Sequence, residues 1–278
     1  MSRLIFIGRL YSREEEIMKK PIIVMNFSHI YEQEQFYRKD SYEWLDMTDV
    51  AGTNCYLDAE AAKEIRERIE SYPADTIHFI DSGNYHYMSK YWLDKMTQPF
   101  VLILFDHHPD MQPTLFENFM SCGCWVKNVL DENPMVKKVV IVGAKEELLE
   151  NVEAKYKDKV ICYSESDLNH KEKWKQFAGM HIEEPVYISV DKDVLCPEAA
   201  VTNWDQGSLS LKELKQLICI IAEHHEVVGV DICGECSSSV EYLTDSEKSR
   251  INDHTNYELL ELLEKHFEDA SEKQQAAI

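Results

Sequence analysis

Short, continuous runs of apolar residues recur along the chain and alternate with charged segments that have helical spacing. Runs of this kind are typical of strands that are buried on both faces of a parallel sheet. Between the runs, residues 57–71, 145–156 and 210–224 are predicted to be helices, and the last begins with a capping box of Ser210 and Glu213. The predicted strands are Pro21 to Met25, Thr76 to Ile80, Phe100 to Phe105, Lys138 to Val142, Lys159 to Tyr163, Pro185 to Val190 and Val227 to Ile232.

This alternation predicts an α/β fold, a three-layer α/β/α sandwich with a mainly parallel sheet. No linker, repeat or low-complexity segment interrupts the pattern, so residues 1–278 are expected to form a single domain. Residues 245–267 are predicted to form a long, charged helix with an apolar stripe. The stripe is expected to pack on the sheet; the alternative is a contact with a partner subunit in a homo-oligomer.

Possible metal ligands follow two of the predicted strands: Asp106, His108 and Asp110 follow one, and Asp191 and Asp193 follow another. In an extended segment alternate side chains point the same way, so each group is expected to converge on one point. The carboxyl ends of parallel strands also meet at one edge of the sheet, where α/β proteins bind ligands.

The alternative for each motif alone is an Asp that caps a turn or helix. Together, however, D-x-H-x-D at 106–110 and S-x-D-x-D at 189–193 resemble the arginase/agmatinase/formiminoglutamase (ureohydrolase) family, in order and spacing over most of the chain. Residues 81–87 stand where that family has G-G-D-H-S, and they retain His86. The resemblance implies an arginase-like fold and two Mn²⁺ ions, or other divalent metals, held by His86, Asp106, His108, Asp110, Asp191 and Asp193. Four carboxylates and two neutral imidazoles carry a charge of −4, which matches two divalent cations, and this mixture suits Mn, Fe or Zn. It also implies hydrolysis of a C–N bond in a guanidino or amidino compound by a hydroxide that bridges the metals.

The resemblance also suggests roles for residues near the metals. Asp110 is expected to hydrogen-bond the nucleophile and accept its proton, and Glu235 is a candidate for holding the positive end of a substrate. The loop at 204–206 is a candidate wall of the pocket, with Asp205 a second candidate for the substrate's positive end. Cys122 stands where the family has a proton-shuttling His, and a thiol is a poorer general acid there. Arginine itself is therefore not the expected substrate.

Composition limits the partners. The net charge of −22 argues against nucleic acids and anionic membranes, which need basic surfaces. It fits a small, cationic substrate, although an acidic surface that serves solubility alone is the commoner explanation. No apolar run is long enough for a transmembrane helix, and residues 1–20 have no signal-peptide pattern, so a cytoplasmic protein is expected. The eight cysteines are expected to be mostly buried thiols. The local pairs Cys122/Cys124 and Cys233/Cys236 leave open a soft-metal or redox site.

Three other functions compete with this interpretation. The string Asp106-His107-His108 also occurs in DHH-type manganese phosphoesterases, but those proteins carry their D-x-D motif upstream. Histone-deacetylase-like enzymes have a similar fold but one zinc and fewer ligands. A non-catalytic, metal-binding homologue would fit the divergent segment around Cys122.

Overall fold

A sheet of eight parallel strands forms the centre of the computed structural model, which describes residues 21–39, 41–113, 119–238 and 243–276. All strands are short, and they are β1 (Ile22–Asn26), β2 (Tyr42–Asp46), β3 (Tyr56–Leu57), β4 (Ile77–Ile80), β5 (Phe100–Phe105), β6 (Met120–Ser121), β7 (Val136–Ala144), β8 (Val160–Ser164), β9 (Val186–Asp191) and β10 (Val227–Cys233). The order in the main sheet is β2–β1–β4–β10–β9–β5–β7–β8, while β3 and β6 form a separate antiparallel pair.

Helices connect the parallel strands and cover both faces of the sheet. The α-helices of the described residues are α1 (Ala59–Ile69), α2 (Met88–Leu93), α3 (Trp125–Glu132), α4 (Glu146–Leu149), α5 (Lys171–Ala178), α6 (Leu211–His224) and α7 (Asp245–Ala276). None of these helices is both long and apolar enough to cross a membrane.

Successive strand residues face two separate hydrophobic cores. In β1, Ile23 and Met25 pack in a core with residues of α1, α2 and α3, whereas Ile22 and Val24 pack in a second core with residues of α5, α6 and α7. Burial on both faces explains why the strands are continuously apolar. The predicted three-layer sandwich with a parallel sheet is therefore confirmed.

Local sequence signals explain where two helices begin. Helix α1 starts after Asp58, whose side chain accepts hydrogen bonds from the backbone of Glu60 and Ala61. Helix α6 has the predicted capping box, in which Ser210 and Glu213 bond each other's backbone N–H groups. Caps of this kind each contribute about 1 kcal/mol to helix stability.

Two details differ from the sequence prediction. Residues 145–156 form the short α4 and a separate 3₁₀ turn at Ala154–Tyr156 rather than one helix. No residue of α4 is buried, so no packing stabilises a longer helix there. Strand β2 was not predicted, because its residues are mostly exposed at the edge of the sheet and lack a continuous apolar run. Residues 1–20, in which no signal peptide is predicted, lie outside the described residues.

Candidate metal centre

The six predicted ligands lie together at the carboxyl edge of the sheet. They follow β4, β5 and β9, and with β10 these strands are contiguous in the order β4–β10–β9–β5. All but His108 are buried. Two sets of ligand atoms share Asp106, namely His86, Asp106 and Asp110 in the first and Asp106, His108 and Asp193 in the second. Asp191 joins the first set through its contact with His86.

The first group surrounds the ring of His86. Its Nδ1 atom lies 3.2 Å from Asp106 Oδ2, 3.2 Å from Asp110 Oδ2 and 3.5 Å from Asp191 Oδ2. The side chains of all four residues are at most 8% exposed. One nitrogen and three carboxylate oxygens therefore face a common point from three strand ends.

The second group surrounds His108. Its Nδ1 atom lies 2.8 Å from Asp193 Oδ2 and 3.6 Å from Asp106 Oδ1. Asp106 thus presents one oxygen to His86 and the other to His108. A carboxylate in this position can bridge two cations.

The backbone reaches this arrangement by turning, not by continuing as an extended strand. The chain bends at His107 and His108 directly after β5, and Asp110 adopts a left-handed backbone conformation with φ of 50°. For a residue other than Gly such a conformation is uncommon and costs of the order of 1–3 kcal/mol. The expectation of an extended D-x-H-x-D segment was therefore wrong, and the bend divides its side chains between the two groups.

Hydrogen bonds fix which nitrogen of each His is available. Ser189 Oγ donates to Asp231 Oδ1 at 2.5 Å, so it accepts from His86 Nε2 at 2.9 Å. His108 Nε2 donates to Asp205 Oδ1 at 3.0 Å. In both rings Nδ1 is therefore the nitrogen that faces the carboxylates, where a metal ion can replace its proton. Such partners orient metal-binding His residues and keep them in the right tautomer.

Sequence reasoning did not identify Ser189 and Asp231 as orienting residues. A usable signal existed, because Ser189 lies two residues before Asp191 on the same strand and therefore on the same face. Trp125 was also missed; its Nε1 donates to Asp110 Oδ2 at 2.6 Å and so fixes that carboxylate.

The donor atoms fit divalent cations. His86 Nδ1 and Asp106 Oδ2 are buried and have no hydrogen-bond partner in the described part of the chain. A buried polar atom without a partner is costly unless something else binds it. An oxygen-rich set with one imidazole per group is the chemistry of Mn²⁺, Fe²⁺ and Zn²⁺ sites.

The pKa values also show that the centre favours positive charge. Burial, followed by the charge of Asp106, raises the pKa of Asp193 to about 6. Burial and the charge of Asp110 likewise raise the pKa of Asp106. Burial acts to lower the pKa of His108, but hydrogen bonds to Asp106 and Asp193 outweigh it and raise that pKa to about 12. A bound cation would relieve this repulsion between carboxylates.

A cavity of about 200 Å³ opens from the ligands to solvent. Tyr56 and Trp204, with 45% and 42% of their surface exposed, stand among its walls. The pairing of β3 with β6 places Cys55 and Cys122 there as well, because Cys122 N donates to Cys55 O at 3.0 Å. Its lining residues are Cys55, Tyr56, Gly83, Asp106, His108, Asp110, Gln112, Ser121, Cys122, Gly123, Asp191, Asp193 and Trp204.

The structure places Glu235 away from this cavity. Its side chain is fully buried and forms an ion pair with Lys192, which lies between the ligands Asp191 and Asp193. Asn256 donates to Glu235 Oε1 at 2.8 Å and accepts from Lys192 Nζ at 2.9 Å. The expected contact of Glu235 with a substrate does not fit this position, because its carboxylate is buried outside the cavity and its charge is already paired with Lys192. The carboxylate of Asp205 likewise already has partners, because it accepts hydrogen bonds from His108 Nε2 and, at 3.2 Å, from Lys145 Nζ.

The two cysteines of each local pair make different contacts. Cys124 Sγ donates to Ser121 O, and Cys236 Sγ donates to Ser238 O. Cys122 lines the cavity. Cys233 is buried and lies within ligand distance of His86 and Asp191.

Comparisons with known proteins agree with this geometry. In fold, the chain is similar to a hypothetical agmatinase from Burkholderia thailandensis, with a TM-score of 0.61 and 16% identity over 88% of this chain and 86% of that one. It is similar to formimidoylglutamase from Bacillus subtilis, with a TM-score of 0.61 and 14% identity over 88% and 87% of the two chains. At such identities the likeness shows the fold alone.

Sequence comparison shows the family. A Thermotoga maritima protein described as "Uncharacterized protein" is 30% identical over 231 residues, which make up 83% of this chain and 86% of that protein. The sequence model of the arginase family matches residues 28–242 of this chain. With the fold, the ordered motifs and these matches together, the chain belongs to the arginase family.

Proposed function

We propose that the chain, as one arginase-like domain, is a binuclear, manganese-dependent hydrolase. Its substrate would be a small guanidino or amidino compound, cleaved at a C–N bond. The observation that carries the proposal is the pair of ligand groups that share Asp106 at the base of a cavity. Family membership supports hydrolysis, while the ligands and the cavity support the metal and substrate class.

The two ions would have different ligands. His86, Asp106, Asp110 and Asp191 would hold the first, and Asp106, His108 and Asp193 the second. The four carboxylates balance the charge of two divalent cations. When bound, the metals supply an acidified water and positive charge beside the developing anion.

Asp110 would take the proton of the attacking water, the role that the resemblance to the family implies for this position. It both belongs to the first ligand group and lines the cavity. Trp125 holds its Oδ2 atom by a hydrogen bond of 2.6 Å, so the carboxylate keeps one orientation. A fixed base at the reacting water contributes to catalysis because it needs no reorganisation.

The cavity supports a small, planar, cationic substrate. Its volume of about 200 Å³ is below the roughly 300–1,000 Å³ typical of pockets for larger ligands. The exposed rings of Tyr56 and Trp204 offer faces on which an amidinium group can stack. The D-x-D motif at 191–193 lies downstream of Asp106 rather than upstream, so the DHH-type alternative is the weaker one. A metal-binding homologue without activity is the remaining alternative, because Cys122 lines the cavity where a shuttling His is expected.

The proposal is tested by assaying the Mn²⁺-loaded protein against guanidino, amidino and formimino compounds for release of urea, ammonia or formamide. We expect turnover of at least one small cationic member and none of arginine, because Cys122 replaces a general acid. A parallel panel of phosphoesters is the control. Turnover of phosphoesters alone would contradict the proposal, and inactivity on both panels would favour the non-catalytic homologue.

A further inference from the structure

Cys233 lies at the candidate metal centre but is not one of the six proposed ligands. It ends β10 and is paired in register with Asp191, the last residue of β9. Its Sγ atom lies 3.2 Å from Asp191 Oδ2, and its side chain is fully buried. The two residues therefore lie side by side at the same edge of the sheet.

The sulfur also lies close to the imidazole of the first ligand group. Ligand atoms of His86, Asp191 and Cys233 are all within 4.8 Å of one another. His86 Nδ1 is buried, has no hydrogen-bond partner and lies 3.5 Å from Asp191 Oδ2. This nitrogen is an independent sign that a ligand belongs at this point, since its ring is oriented through Ser189 on the other side.

We infer that Cys233 is a ligand of the metal subsite built on His86 and Asp191, and that its sulfur raises the affinity of this subsite for softer divalent ions such as Zn²⁺ relative to the other subsite. The inference rests on the proposed binuclear centre and refines one half of it. The second subsite, with Asp106, His108 and Asp193, has no cysteine in its group and keeps a harder donor set. The two subsites thus differ in the metal they prefer.

The chemistry of binding balances simply. The Cys233 thiol gives its proton to solvent as the sulfur binds the cation, and no oxidant is required. The hydrogen bond that the thiol now donates to Asp191 is then replaced by a metal that both residues share. Gly234, with φ of 100°, turns the chain immediately after Cys233. A Cβ at this position would lie 2.6 Å from Asp191 Oδ1, so Gly allows the two strand ends to approach.

The test uses Co²⁺ as a spectroscopic substitute in the full chain under reducing conditions. A cobalt–thiolate bond gives a charge-transfer band in the near ultraviolet, which nitrogen and oxygen ligands do not give. We expect this band in the wild type, its loss in Cys233→Ser and Cys233→Ala, and its retention in Cys122→Ser and Cys236→Ser. We also expect Zn²⁺ affinity to fall about 10- to 100-fold in Cys233→Ser, with a much smaller change for Mn²⁺.

The outcomes separate this inference from the proposed function. Two Co²⁺ ions bound without a thiolate band would overturn the role of Cys233 and leave the binuclear centre intact. Absence of Co²⁺ binding would overturn both. Loss of the band in Cys122→Ser but not in Cys233→Ser would assign the thiolate to the cavity and overturn the inference. If neither Cys233 variant folds, a wild-type band that Cys55→Ser, Cys122→Ser and Cys236→Ser all retain still supports the role of Cys233, and loss of the band in any one of them overturns it.

Discussion

Asp110→Asn is expected to lower turnover by about 10²–10⁴-fold, the range for loss of a positioned general base. The amide keeps the shape of the side chain and its hydrogen bond from Trp125, but it neither accepts a proton nor carries charge. The measurement is the steady-state rate on the best substrate of the panel, at saturating Mn²⁺ and with metal content determined for each sample. At full metal content, the loss reports proton transfer rather than an empty site.

Cys122→Ala is the matched control, because Cys122 lines the same cavity without belonging to either ligand group of the described residues. We expect a far smaller decrease in turnover for this variant. An Asp110→Asn protein that binds its metals and keeps wild-type turnover would contradict the assigned role. An equally large loss in Cys122→Ala would move the essential proton transfer to the thiol.

Lys192→Met is expected to lower the free energy of unfolding by about 3–5 kcal/mol, the cost of breaking a buried ion pair from one side. Lys192 and Glu235 are both fully buried, so removal of the ammonium leaves a carboxylate without its countercharge. Glu34 lies in the same network, where Asn256 Nδ2 donates to its Oε2 at 2.9 Å. Burial, followed by the charge of Glu235, raises the pKa of the neighbouring Glu34 well above its usual value. Glu34 is an acid, so it offers no positive charge to replace that of Lys192. Urea unfolding of the metal-free protein measures the change.

The double variant Lys192→Met/Glu235→Gln distinguishes charge from packing. Because it removes both charges, most of the stability is expected to return. Lys63→Met is a surface control, since Lys63 and Glu67 form an exposed pair, and it should stay within about 0.5 kcal/mol of the wild type. A double variant as unstable as Lys192→Met would show that shape, not charge, matters at this position.

The fold was predictable because its strands are buried on both faces. Burial on two sides requires continuous apolar runs, and residues 100–105 and 186–190 show them directly. The strand at residues 42–46 was not predicted from the sequence. It lies at the edge of the sheet, pairs with only one other strand and therefore tolerates exposed Tyr, Glu and Asp. The pairing of β3 and β6 involves two residues from each segment, which is too short for any periodicity to reveal.

The candidate site was predictable as a set of residues but not as a geometry. Spacing placed Asp106, His108 and Asp110 after one strand, yet the positive φ of Asp110 has no signal in the sequence. The position of Glu235 depends on Lys192, which is remote in sequence and meets it only in the folded core. Side chains whose role depends on a partner from another element are the ones that the linear pattern leaves undetermined.

The most direct test of the proposed centre is the metal content of the wild-type protein after reconstitution and removal of loosely bound ions. Elemental analysis is to be made beside an Asp106→Ala/Asp193→Ala variant, which lacks the shared carboxylate and one ligand of the His108 group. Two divalent ions per wild-type chain, with fewer retained by the variant, are the predicted result. At most one ion per wild-type chain, or undiminished binding by the variant, would contradict a binuclear centre at these residues.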